Sequence, residues 1–132
     1  MKKLSLACSV LLIATALWLP VMAQKAAPQQ VDIKAKAVKY IEYMAAWKFK
    51  KAQALENMKM QEVLPADKLS KQWHGLMQQW GPYAHHSAPS VTQEKGFDVV
   101  IMKIRFQQFG MVAHVYFDKN GEVARVQFLR EP

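Results

Sequence analysis

The sequence predicts an α+β fold, with N-terminal helices packed on one face of a curved four-stranded antiparallel sheet. Three observations carry this reading. Apolar residues recur at three- and four-residue spacing from Ile33 to Trp80. Beyond Pro89 the chain changes to runs dense in β-branched and aromatic residues. Short connections containing Gly96, Gly110 and Gly121 separate those runs. A chain of 132 residues, 52% hydrophobic and 21% charged, fits one globular domain and excludes a disordered tail.

The elements follow in order. Met1-Lys2-Lys3 is a short positive region, and Leu4 to Leu19 is apolar apart from Ser5, Ser9 and Thr15. Pro20 ends that run, and Val21 and Ala23 occupy the −3 and −1 positions of a cleavage site before Gln24. Residues 1–23 therefore read as a signal peptide, with a retained anchor as the competing reading. Export to the periplasm or beyond follows, with no stable membrane anchor after cleavage. The signal would take with it Lys2, Lys3 and the single cysteine, Cys8, lowering the net charge from +8 to +6. A mature chain without thiol has no disulfide framework, cysteine nucleophile or thiolate metal site.

Residues 24–32 are polar and contain Pro28, and read as a flexible linker to a domain over residues 33–130. Ile33, Ala37, Ile41, Met44 and Ala45 form one face of a first helix, with Asp32 as a candidate N-cap. A break near Lys48 separates it from a short second helix carrying Phe49, Ala52, Leu55 and Met58. Pro65 opens a third, whose stripe is Leu69, Trp73, Leu76, Met77 and Trp80; Gly81-Pro82 stops it. The segment around His85-His86 reads as a loop. Four strands follow: Ser90 to Lys95, Phe97 to Gln107, Met111 to Asp118 and Glu122 to Leu129.

Strand alternation assigns the faces. Val100, Met102, Ile104, Phe106, Met111, Ala113, Val115, Phe117, Ala124, Val126 and Phe128 form a wholly apolar inner phase. The outer phase carries Lys103, Arg105, His114, Tyr116, Arg125 and Gln127 among apolar residues, a mixture that suits an interaction surface, foremost a homodimer.

The residues of the helical half and of the hairpins resemble the DUF3887 family. Ala45 to Ala52 (AAWKFKKA) is similar to that family's helix-break pattern, although Trp47-Lys48 stands where a Gly or Asp is usual. Leu64-Pro65, Leu69, Trp73, Leu76 and Gly81 match its helical run. Gly96 to Val100 and Val115 to Val123 match its closing hairpins, so the resemblance spans about residues 34 to 129. It implies an NTF2-like or cystatin-like cone in which a bent sheet wraps helices. Similar domains occur alone after signal peptides or ahead of hydrolase domains, and with Pro132 close behind the last strand no hydrolase is expected here. The family's function is not established, so the resemblance implies a fold and no activity.

Three function classes follow. The first is a non-enzymatic binding module of the bacterial envelope, acting on a small apolar ligand or an envelope protein. It would work through an apolar pocket near Trp80, Tyr83 and His85 at the third helix's exit, or through the outer sheet face. The second is copper or zinc binding by His74, His85, His86 and His114 with Met58 and Met60, since imidazole and thioether suit those ions. No helical His pair supports it, and no residue is assigned to a metal or cofactor. The third is a hydrolase of the cone fold, which needs a carboxylate or His held near a cavity. The inner phase carries neither, and no phosphate loop or nucleophile elbow is present. The lysines lie scattered without Arg-rich stripes, which argues against nucleic acid and leaves weak attraction to anionic headgroups or polymers.

Overall fold

The computed structural model describes residues 26–132, so the signal-peptide reading of residues 1–23 lies outside the described residues. Four helices precede the sheet: α1 (Ala26–Ala45), α2 (Phe49–Gln53), α3 (Met58–Val63) and α4 (Ala66–Trp80). The strands are β1 (Tyr83–His86), β2 (Ser90–Glu94), β3 (Phe97–Phe106), β4 (Gly110–Phe117) and β5 (Val123–Arg130). From Ala26 on, the stretch expected as a linker is helical and belongs to α1. Gln29 and Gln30 in this stretch are good helix formers.

The break after α1 is a Schellman turn. Lys48 N–H donates to Tyr43 O at 2.7 Å and Trp47 N–H to Met44 O at 3.1 Å, with Trp47 at φ +62°. The expected second helix divides into α2 and α3 because Asn57 adopts extended backbone and caps α3, its Oδ1 accepting from Met60 N–H at 2.8 Å. Gly81 ends α4 at φ +86°, and a Cβ there would lie 2.9 Å from Gln107 Cβ.

The sheet is antiparallel and has five strands instead of four. β1 pairs with the last residues of β3 and β2 with its first half, so the two lie end to end along one edge. The segment around His85-His86 is thus strand; Ser87 to Pro89 interrupts what would otherwise be a single edge strand. Lys95-Gly96, both at positive φ, close the β2–β3 hairpin.

The apolar phase of β3 and β4 faces the helices: Val100, Met102, Ile104, Phe106, Met111, Ala113, Val115 and Phe117 are all buried. They pack with Ile33, Ala37, Tyr40, Ile41 and Met44 of α1 and with Leu69 and Trp73 of α4. Trp73 sits at the centre, its ring 5.4 Å from Phe106 and 5.7 Å from Tyr83. One inner position is corrected in β5. Tyr116 pairs with Arg125 but Phe117 with Val123, so Ala124 is the extra residue of a bulge. The bulge gives the inward place to Val123, fully buried, and leaves Ala124 on the surface of a cleft.

Candidate functional site

The outer face of the sheet gathers the residues expected at an interface. Cross-strand register sets Val99, Tyr116 and Arg125 in one row, Ile101, His114 and Gln127 in the next, and Lys103 with Val112 and Leu129 in a third. Arg105 follows opposite Gly110. Period-two alternation in paired strands makes this clustering necessary once the register is fixed.

The first row builds a local structure of its own. Val99 is fully buried and Tyr116 nearly so, yet both stand apart from the main core cluster. Phe97 meets Tyr116 edge-on at 6.2 Å, and the Arg125 guanidinium lies 5.6 Å over the Tyr116 ring, within cation–π range. The Tyr116 hydroxyl donates to Glu94 Oε2 at 3.2 Å. Burial, then this hydrogen bond and the negative charge of Glu94, raise the Tyr116 phenol above its ordinary value against the pull of Arg125. Gln127, in the amide orientation that satisfies both its ends, accepts from the Arg125 guanidinium. Glu94, Phe97, Tyr116, Ala124 and Arg125 line a cleft of about 180 Å³. Further along the face Lys103 Nζ pairs with Glu131 Oε1 at 2.8 Å, which raises the lysine's pKa.

The three residues expected around a pocket at the exit of α4 take separate places. Trp80 stacks on Phe109 with ring centres 4.1 Å apart. Tyr83 packs against Trp73 and Phe106 at the margin of the core, where burial and then the charge of Glu42 raise its pKa. His85 is exposed opposite Arg105 on the outer face, in a cleft it shares with Lys103 and Glu131. They do not form one wall, because Tyr83 pairs with inward Phe106 while His85 pairs with outward Arg105.

The histidines are likewise apart. His74 of α4 is met edge-on by Trp47 and Phe49 and shares a hydrogen bond with Ser70 at 3.1 Å. His86 Nε2 lies 3.7 Å from Glu42, and His114 is on the outer face. Among the described residues no three His, Cys, Asp or Glu side chains are grouped to hold a metal ion.

One acid is buried, and sequence pattern did not single it out. Glu56, between α2 and α3, is fully buried. The Tyr40 hydroxyl of α1 donates to its Oε1 at 2.8 Å, while Oε2 has no hydrogen-bond partner. Burial outweighs that hydrogen bond and pushes the carboxyl up to about 7; the same burial and the facing carboxylate raise Tyr40. Val123 N–H donates to Leu55 O and Asn57 N–H to Val123 O, so the turn carrying Glu56 is stitched to β5. The available signal was Tyr40 itself: it lies on the buried stripe of α1, and a phenol there requires a partner. Fully enclosed, Glu56 presents no carboxylate to a substrate.

These features define a small α+β domain: helices over one face of an open antiparallel sheet, and a charged and aromatic opposite face. The chain belongs to the family described as a protein of unknown function, DUF3887, whose model matches residues 37–125. No curated protein and no solved structure matches the chain. No described helix is long and apolar enough to cross a membrane.

Proposed function

We propose that this protein is an exported binding module, acting without catalysis, whose working surface is the outer sheet face and whose first partner there is a second copy of itself. The observation that supports it is the Phe97–Tyr116–Arg125 cluster: apolar side chains packed outside the main core, on a face that the helices do not cover. Leu129 and Phe97 stay exposed beside it, 42% and 39% respectively. The face carries both signs of charge, Glu94 and Glu131 beside Lys103, Arg105 and Arg125. A two-fold interface requires such self-complementarity, because the same patch appears on both sides.

Native mass spectrometry of the protein purified from an exporting host tests this. A dimer is expected, and the double variant Phe97→Ala/Arg125→Glu is expected to run as a monomer with unchanged circular dichroism. A monomer retaining a small molecule would keep the binding role and overturn self-association. A bare monomer at every concentration would overturn both.

A further inference from the structure

At the corner between α1 and α2, the Schellman turn requires left-handed backbone at its C′ residue, a place that glycine fills without a Cβ penalty. Here it is Trp47, at φ +62° and 59% exposed. A bulky aromatic in that conformation is strained, and the fold does not recover the strain by burying the indole. The ring meets His74 nearly at right angles, at 4.8 Å between centres, and more than half of the residue's surface faces solvent.

The surroundings are basic. Trp47, Lys48, Phe49, Lys50 and Lys51 line one side of an open cleft of about 500 Å³, with Asp67 as the acid on its opposite side. All three lysines are exposed, and Lys51 Nζ lies 5.9 Å over the Tyr43 ring. The corner thus combines an amphipathic indole at a projecting turn with a cluster of ammonium groups on long apolar stems. Indole rings favour the headgroup level of a bilayer, where the ring is half desolvated and its N–H stays wet. Lysine stems reach along the same boundary while their charges stay among lipid phosphates.

We propose that the Trp47–Lys51 corner is a peripheral docking site for an anionic lipid surface, with Trp47 entering the headgroup layer and Lys48, Lys50 and Lys51 pairing with phosphates. Charge complementarity sets the occupant: an excess of ammonium groups around an exposed aromatic suits an anionic leaflet and gives little to a zwitterionic one. The contact is reversible and salt-dependent, since three surface lysines are screened within about 10 Å at 0.1 M salt. It is independent of the outer sheet face, whose residues it does not include.

The test uses the full chain and a readout that isolates the corner from residues 1–23. Hydroxyl-radical footprinting, resolved by peptide, reports oxidation of Trp47 separately from Trp73 and Trp80. Vesicles of phosphatidylcholine with phosphatidylglycerol are expected to protect Trp47, and vesicles of phosphatidylcholine alone to leave it at its free rate. Lys50→Glu/Lys51→Glu should weaken the protecting interaction by roughly five-fold for each lysine lost, or more. Trp47→Gly separates function from folding: it should raise the melting temperature by relieving the turn while reducing the anionic-vesicle protection of the neighbouring Phe49 peptide. Equal protection by both vesicle types, or none by either, would overturn the proposal. Protection by soluble polyphosphate but not by anionic vesicles would overturn it in favour of a polymer.

Discussion

Replacing Glu56 by Gln should make the protein more stable at mildly alkaline pH and flatten its stability across neutrality. The carboxyl titrates near 7 in the folded chain against an ordinary value of 4.5. An acid whose folded value is raised binds more protons folded than unfolded between those two values. Stability therefore falls as pH rises from about 4.5 through about 7 and levels off above. The gap corresponds to about 3 kcal/mol. In Glu56→Gln the side-chain oxygen still accepts from Tyr40, and the amide nitrogen replaces Oε2, which already lacks a partner. An unpaired amide donor costs about 1 kcal/mol, which leaves a net gain of about 2 kcal/mol above the folded pKa, near equality at about pH 5 and a net loss of about 1 kcal/mol at more acid pH. Other ionic groups around this turn do not mask the effect. Lys36 Nζ is held by Gly121 O at 2.8 Å and lies 3.7 Å from Asp32. For Asp118, burial raises the carboxyl, but hydrogen bonds from Glu122 N–H, Asn57 and Asn120 N–H and the charge of Lys36 outweigh it. Its pKa is held below the ordinary 3.8, so its contribution is lost only on the acid side of this window. Urea denaturation of the native protein and of Glu56→Gln from about pH 5 to about pH 8 measures the slope. Parallel slopes for the two proteins would refute the assignment of Glu56 as the titrating group.

The remaining predictions address packing, caps and the turn. Tyr40→Phe removes the donor to Glu56 and should push that carboxyl higher still, steepening the same pH dependence in the same denaturation series. Trp73→Ala should cost about 3–5 kcal/mol, since the ring is fully buried between α4 and the sheet; thermal and urea unfolding check it. Asn57→Ala removes the α3 cap and the 3.1 Å hydrogen bond to Asp118, and a loss of about 1–2 kcal/mol is expected in urea unfolding. Gly81→Ala should cost about 2 kcal/mol, because φ +86° with ψ −179° is backbone that only glycine adopts readily and the new Cβ meets Gln107; an unchanged melting temperature would contradict the turn geometry. Trp80→Ala should lower the melting temperature through loss of the stack on Phe109, marking Trp80 as a packing residue.

Local signals were sufficient for much of the architecture. The stripe from Ile33 to Met44, the Leu69–Trp73 stripe and the alternation in β3 and β4 each placed buried residues correctly, because the periods 3.6 and 2 are written into neighbouring positions. The Lys95-Gly96 and Asn120-Gly121 turns were legible because glycine supplies the positive φ that a tight hairpin connection needs. The grouping of Lys103, Arg105, His114, Tyr116, Arg125 and Gln127 on one face followed from alternation plus antiparallel pairing.

What tertiary structure alone decided depends on contacts between distant segments. β1 is too short and too polar to announce itself; it is a strand because the far end of β3 offers an unpaired edge. The bulge at Ala124 exchanges it with Val123, since a one-residue slip reverses every side chain beyond it and no local pattern records where the slip falls. Glu56 becomes a buried acid only when Tyr40 of α1 closes over the turn that β5 holds, residues far apart in sequence. Trp47 reads in sequence as one more aromatic of the helical half; the Schellman turn puts it in left-handed backbone and leaves it facing water. Periodicity reports which face of an element is apolar. Which faces meet, and which side chains remain uncovered, is settled by the packing of the whole chain.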